Sequence, residues 1–416
     1  MNAQNQGRRR EALVVASPWP YHPWCGIGGG VVCFQLLERL AETFDIHFVS
    51  FDQVPNDTEA GRDALARACA SVTVVPLPKP VRGVLDPVLQ AAQVLTRRPR
   101  EVRDMASPDM AAAIARLAGA HDPVAVLLQF PPMAQYADAA PGAAVVVDVQ
   151  DACMVSRYRE WRRAAAPLRR AARFVAWLAW LRYELRWYER TDALVAISEN
   201  DLGVLRSFVP EVPCLYSPVA ADPAPGPRGP GGFYVALIGN FAHAPNRDAL
   251  EWLLSEIWPL VRARAPSAEL HVAGPDIPAW AGGRGGEGVV VRGFVESVDS
   301  FYGEAQMALV PYRFGGGTKI KALEAMARGC PVVATTIGSE GLQVTPGVHL
   351  RVEDDARGFA DAVVELLLSP EAGAALAEAA RAHIGRRFSW DAKVGALVEA
   401  LRAVGARKAK AARAPA

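Results

Sequence analysis

Paired cysteines, long apolar runs and an excess of charge are all missing from this chain of 416 residues. Its six cysteines (Cys25, Cys33, Cys69, Cys153, Cys214 and Cys330) are scattered, and none forms a Cys-x-x-Cys pair. That argues against a zinc site and for reduced, mostly buried thiols in a cytosolic protein. No run of about 18 or more apolar residues occurs, so nothing is expected to span a membrane. The leader MNAQNQGRRREALVVASPWP places charge before apolar residues, but the run from Ala12 to Ala16 is too short for a signal peptide and no small-residue cleavage site follows. A frayed leader before a first buried strand is expected instead. The formal net charge is +1, so no global field argues for a nucleic-acid partner.

What the chain does have is 35 glycines and 32 prolines in an otherwise ordinary globular composition, 51% apolar and 21% charged. Short apolar runs alternate with helical patterns. ALVVAS (12–17), VTVVPL (72–77), VAVLLQF (124–130), AAVVVDV (143–149) and ALVAIS (193–198) read as buried strands. The Pro/Gly-rich stretch AADPAPGPRGPGG (220–232) has almost nothing to bury and reads as a linker. After it the alternation restarts with FYVALIG (233–239), the helix RDALEWLLSEIWPLVRARA, AELHVAG (268–274), MALVPY (307–312) and PVVAT (331–335), and it ends in helices at 355–368, 370–386 and 390–404. Continuous apolar strands alternating with helices predict parallel sheets covered on both faces. The expected fold class is therefore α/β, with two Rossmann-like doubly wound domains facing across a cleft. The boundaries are an N-terminal domain at 1–219, a linker at 220–232, a C-terminal domain at 233–386, a last helix at 387–404 and a disordered tail at 405–416. Ligands of such domains bind outside the carboxyl ends of the strands.

One stretch stands at such an end. FGGGTKIKALEAMA (314–327) follows the strand MALVPY directly. Gly315, Gly316 and Gly317 allow close approach of a ligand to the main chain, and the helix beyond them points its positive end at the same spot. Lys319 and Lys321 add positive charge, which makes a diphosphate cradle. Glu324, one turn beyond Lys321, could accept two ribose hydroxyls. A flexible turn with two solvated lysines and an i,i+3 ion pair is the plain alternative. The stretch is not a Walker A loop, because threonine precedes the lysine. The loop Gly26–Gly30 is not a dinucleotide fingerprint either, because Val31 stands where the third glycine belongs. Gly28 and Gly29 in that loop are candidates for contact with a donor sugar or phosphate, or members of a tight strand-to-helix turn.

The run PYRFGGGTKIKALEAMARGCPVVATTIGSEGL (311–342) resembles the donor-binding region of GT-B glycosyltransferases, in particular glycosyltransferase family 4. LIGNFAHAPNRDALEWLLSEIWPLV (237–261), VVVDVQDACMVSRYRE with YERTDALVAISENDLGVL (145–205) and the opening SPWPYHPWCGIGGG are similar to other parts of that family, more loosely. The resemblance implies retaining transfer of a sugar from a nucleotide-sugar donor to an acceptor hydroxyl, with no cofactor beyond the donor substrate and no essential metal. The absence of a D-x-D carboxylate pair agrees. Lys319, Lys321 and the helix N-terminus would then stabilise the leaving diphosphate. Thr318, Glu340, Gly239 and His243 join Gly315–Gly317 and Glu324 as donor-binding candidates, and the last helix is expected to cross back onto the N-terminal domain. The acceptor would be a saccharide or lipid-linked saccharide, the setting polysaccharide or glycoconjugate synthesis, the location cytoplasmic.

Two positions depart from the family's pattern. The first of its usual pair of glutamates falls at Gly316, so that sugar contact is missing or is made by backbone. The histidine of its D-x-H-D segment is Gln150, which can hydrogen-bond a sugar but cannot shuttle a proton. The following Asp151 is either an acceptor or donor contact and a catalytic candidate, or a helix cap, and Asp148 flanks the same strand end. Asn246 most simply caps the helix that follows it, and Arg247 in its first turn is solvated or reaches phosphate. A non-catalytic nucleotide-sugar-binding protein, and a nucleotide-sugar 2-epimerase on the same fold, are the rival functions.

The segment 157–190 carries ten arginines, three glutamates and four tryptophans. Phe174, Trp177, Leu178, Leu181 and Leu185 fall at helical spacing. An amphipathic helix packed on the N-terminal domain, with snorkelling arginines, is the plain expectation. A surface that docks on anionic lipid at the inner face of a membrane is the sharper one.

Overall fold

Valine, leucine and alanine runs too apolar to face water become the central strands. In the computed structural model, which describes residues 10–22, 28–53, 58–79, 98–223, 234–284, 288–295 and 297–413, these runs assemble into two sheets whose strand pairs are all parallel. The first sheet has the order β3-β2-β1-β4-β5-β6-β7. Its strands are β1 (Glu11–Ser17), β2 (Phe44–Phe51), β3 (Ser71–Val75), β4 (Ala125–Gln129), β5 (Val145–Val149), β6 (Ala193–Ala196) and β7 (Cys214–Tyr216). The second has the order β10-β9-β8-β11-β12-β13, from β8 (Tyr234–Ile238), β9 (Leu270–Ala273), β10 (Val289–Gly293), β11 (Ala305–Val310), β12 (Val332–Ala334) and β13 (Arg351–Val352). Every residue of β4, β5 and β6 is buried, as expected where helices cover both faces.

The chain divides into two compact units, Met1–Ser217 with Lys393–Ala416, and Pro218–Ala392. The last helix, Trp390–Arg413, thus lies mostly with the first unit. Lys393 Nζ donates to Ser217 O at 3.1 Å and to Ser217 Oγ at 3.2 Å. Arg402 pairs with Glu11 at 2.7 Å, and Lys408 with Asp192 at 3.1 Å. The tail expected to be disordered from 405 is instead helical through Arg413. Alanine, lysine and arginine are good helix formers, and the Lys408 pair holds this part of the helix to the unit. The expected linker also begins later than 220. Ala220 and Ala221 are buried, and Ala221 N donates to Phe388 O at 3.0 Å within the second unit. Residues 224–232 of it lie outside the described residues.

The helix anticipated over 247–265 runs without a break from Ala244 to Arg264, as Ala244–Trp252, a π turn at Leu253–Ile257 and Trp258–Arg264. Pro259 cannot donate and crowds the preceding turn, and the ladder widens just before it. The long helix Pro167–Tyr188 fully buries Ala179, Trp180, Tyr183, Glu184 and Tyr188, and of the face from Phe174 to Leu185 it packs Leu181 and Leu185, partly buried, against the same core. The fully buried face is turned by roughly 100°, one residue, from the apolar count. Polar-tipped residues fill the core positions because their tips find partners. Tyr183 Oη donates to Pro131 O at 2.9 Å and accepts from Gln135 N at 3.0 Å.

Glu184 is the most constrained of these. Its carboxylate accepts from Cys153 N at 2.9 Å, from Met154 N at 2.7 Å and from Tyr188 Oη at 3.0 Å. It therefore caps the helix Cys153–Arg163 from a neighbouring helix, a role that helix's own residues leave unfilled. Burial pushes its carboxyl from the ordinary 4.5 to about 8, against the pull of those donors. A raised folded value favours the protonated folded chain. The contribution is fully present below pH 4.5 and is lost as pH climbs through about 8. Glu184→Gln is expected to flatten the fall in stability across that window. Urea unfolding measured between those pH values checks it, and a wild-type slope retained in the variant would refute it.

Candidate functional site

In the second sheet the strand order reverses between β8 and β11, so the loops leaving these two strands diverge and leave room at their carboxyl ends. Gly239 ends β8. A side chain there would meet Asn246 Cγ at 3.2 Å, which brings the loop back against the helix Ala244–Trp252. The loop after β11 carries Gly315 at φ +126° and Gly317 at φ +63°, conformations that favour glycine. It feeds into the helix Ile320–Ala327. A β-carbon on Gly315 would lie 3.7 Å from Pro245, so the two loops are neighbours.

Asn246 joins them. It was expected to cap its helix, yet it lies buried inside the first turn, and His243 holds the cap position without a side-chain cap bond. Its Nδ2 donates to Asn240 O at 2.5 Å, and its Oδ1 accepts from Lys321 Nζ at 3.2 Å and from Tyr312 Oη. One amide thereby ties the β8 loop, the end of β11 and the helix bearing Lys321. Proline at 245 signals the helix start in the sequence, but nothing local shows that the next side chain turns inward. Arg313 adds a second tie through Asp248, with bonds of 2.9 and 2.8 Å, and sits 5.1 Å from the ring centre of Trp252. Arg247 Nε donates to Phe241 O at 3.2 Å, so its guanidinium closes the same loop.

Lys319 is not a mobile charge. It is 7% exposed, and its Nζ donates to Gly316 O and Gly317 O at 2.8 Å each. Glu340 lies 3.9 Å away. The backbone at Gly316, where the family has a glutamate, therefore turns its carbonyl to this ammonium. The GSEGL loop packs on the same place. Gly341, at φ +82°, would drive a β-carbon to 2.5 Å from Thr318 Oγ1. Thr335 fixes the start of that loop by accepting from Gly338 N at 2.9 Å while donating to Tyr312 O.

Lys321 Nζ also lies 5.4 Å from the ring centre of Tyr312. Glu324 follows it by one turn. Burial raises its carboxyl above the ordinary glutamate range, opposed by the charges of Arg328 and Lys321. A carboxylate in this setting gains from added hydroxyl donors. The structure thus brings Gly239, His243, Gly315–Gly317, Thr318, Lys319, Lys321, Glu324 and Glu340 together in one unit. Among the described residues, no group of three or more His, Cys, Asp or Glu side chains could hold a metal ion.

Gly28, Gly29 and Asp151 belong to the first unit. Gly28 and Gly29 open the helix Gly28–Leu40, and a β-carbon on Gly29 would sit 3.7 Å from Phe130, after β4. Gln150 Nε2 donates to Asp148 Oδ2 at 2.7 Å, and Gln129 Nε2 to the same oxygen at 3.4 Å. Tyr21 Oη donates in turn to Gln129 Oε1. Burial raises the Asp148 carboxyl, opposed by Lys393 and the two amides. The glutamine at the family's histidine position is thus engaged by a buried carboxylate beside it.

Two Rossmann-like units of parallel sheet define a GT-B fold, as the sequence predicted. Solved structures agree. The chain has a TM-score of 0.67 to a sucrose-phosphate synthase from Thermosynechococcus elongatus, at 18% identity over 96% of this chain and 100% of that one. It has a TM-score of 0.66 to Anabaena HepE in complex with UDP-glucose, at 12% identity over 95% and 100% of the two chains. Residues 232–369 match the family model "Glycosyl transferases group 1", so the resemblance carried by 311–342 holds across most of the second unit. A Corynebacterium glutamicum GDP-mannose-dependent monoacylated alpha-(1-6)-phosphatidylinositol monomannoside mannosyltransferase is 39% identical over 83 residues, 18% of this chain and 22% of that protein. The chain matches only 19% to 36% of the length of its curated relatives.

Asn246→Ala would leave a buried hydroxyl and an ammonium without their acceptor. It is expected to destabilise the second unit by about 1–3 kcal/mol. Thermal melts against wild type check this, and an unchanged melt would remove Asn246 from the centre of the site.

Proposed function

We propose that this chain is a glycosyltransferase that moves a hexosyl group from a nucleotide-sugar to an acceptor hydroxyl with retention, without a resident metal. The observation that carries the proposal is the meeting of the glycine loop, Lys321 and Glu324 at the end of β11, inside the stretch matched by the family model. Glu324, its carboxyl raised by burial, takes the ribose hydroxyls. Lys321 and the N-terminus of the helix Ile320–Ala327 take the diphosphate and stabilise it as it leaves. Lys319, bound to two loop carbonyls, shapes the loop and adds its charge from behind.

The first unit takes the acceptor, a saccharide or lipid-linked saccharide, with Asp151 at the start of the helix Cys153–Arg163 as the contact. The UDP-glucose held by HepE and the GDP-mannose in the mannosyltransferase's name support a nucleotide-sugar donor without selecting its base. The setting proposed is polysaccharide or glycoconjugate synthesis. The engagement of Lys319 by its own loop favours a second reading, a protein that binds nucleotide-sugar without turning it over.

Slow hydrolysis of a panel of UDP-, GDP- and ADP-sugars tests the proposal. Release of nucleotide from one donor is expected. A thermal shift with nucleotide but no turnover on any donor would select the binding protein. Lys321→Ala and Glu324→Ala are each expected to weaken nucleotide binding by about tenfold to a hundredfold, the value of a charged hydrogen bond. Calorimetry showing intact affinity in both variants would overturn the site.

A further inference from the structure

The helix Cys153–Arg163 and the first half of Pro167–Tyr188 form a hairpin whose tip the core does not use. Its charge is one-sided: residues 157–178 hold seven arginines and a single acidic residue, Glu160. That glutamate is already engaged, 3.2 Å from Arg157, which also pairs with Glu101 at 2.8 Å. Arg162, Arg169 and Arg170 are exposed around the turn. The whole chain carries only +1, so the excess at this hairpin is offset elsewhere and the molecule is electrically lopsided.

Apolar surface lies among these charges. Leu168 is 88% exposed, Tyr158 42% and Phe174 39%. The rings are stiffened by their own packing. Trp161 stacks on Trp177 with centroids 5.2 Å apart, and Phe174 sits 5.1 Å from Trp161. Trp177 Nε1 donates to Met154 O at 3.0 Å, and Arg173 Nη1 donates to Glu160 O at 3.1 Å. A solvated charged helix has no need of a leucine at its tip or of a half-exposed aromatic stack behind it. A charged and aromatic mixture of this kind matches the interfacial layer of a bilayer, where guanidinium groups meet phosphates and rings lie at headgroup depth. Among the described residues, no helix is long and apolar enough to cross a membrane, so the fit is to a surface.

We infer that the 153–178 hairpin docks this protein on anionic lipid bilayers, with Arg162, Arg169 and Arg170 on headgroup phosphates and Leu168 and Phe174 at the acyl boundary. The inference uses no donor chemistry, and its test is separate from nucleotide binding. The full chain is mixed with vesicles of phosphatidylcholine alone or with phosphatidylglycerol, and bound protein is collected by flotation. Flotation with the anionic vesicles alone, released by high salt, is expected. The triple variant Arg162→Ser, Arg169→Ser, Arg170→Ser is expected to lower partitioning by about a hundredfold, at ~1 kcal/mol per arginine. The neutral variant Leu168→Asn is expected to weaken binding at low salt too, which a purely ionic contact would resist. All four positions are exposed, so an unchanged circular-dichroism melt accompanies the losses. No flotation with anionic vesicles, equal binding by wild type and the triple variant, or binding to a soluble polyanion such as heparin with no vesicle binding would each overturn the inference.

Discussion

Burial of both faces of a parallel sheet is the constraint on which the rest of each unit depends. A strand such as β6, apolar and buried along its whole length, can carry no chemistry on its faces. Polar function is pushed to the carboxyl ends, where loops must leave the sheet. In the second unit, the loops after β8 and β11 supply most of the candidate site. In the first, Gln129, Asp148 and Gln150 collect at the ends of β4 and β5. The strands set where these loops begin, and single side chains such as Asn246 and Thr335 then set their shape.

Buried carboxyls recur in this design, and each is handled differently. Glu184 is held by two backbone donors and a tyrosine hydroxyl, and it orders the start of a helix. Asp148 has two amides and the charge of Lys393. Glu324 has the through-space help of Arg328 and Lys321 against its burial. Glu184 closes on itself, whereas both amides on Asp148 go to Oδ2 and its Oδ1 is buried without a hydrogen-bond partner among the described residues. Glu324 is half-buried on its helix, and the proposed function gives it the ribose hydroxyls.

Much of this was legible in the sequence, for physical reasons. Parallel strands buried on two faces announce themselves as continuous apolar runs, and glycines required at positive φ, such as Gly315 and Gly317, stand out as a cluster. Partnerships between distant side chains were not legible. Asn246 looked like a cap because its local setting is a helix start, and its partners Tyr312 and Lys321 lie far along the chain. The Pro167–Tyr188 helix was legible only in part, since Leu181 and Leu185 do pack on the core but tyrosine and glutamate count as polar until their hydroxyls and carboxylate are seen to be satisfied. The lysine- and alanine-rich end looked unstructured because its anchor, Asp192, belongs to another part of the fold.

Ser217 and Lys393 are the residues at which the chain leaves the first unit and returns to it, and they are hydrogen-bonded to each other. In topological terms the second unit is an insertion whose entry and exit are a single bond apart in the host. Those bonds fix, from the host side, the separation of the insert's two ends. The first unit is thereby a frame closed by its own terminal helix, which reaches past the insert to pair with Glu11 and Asp192.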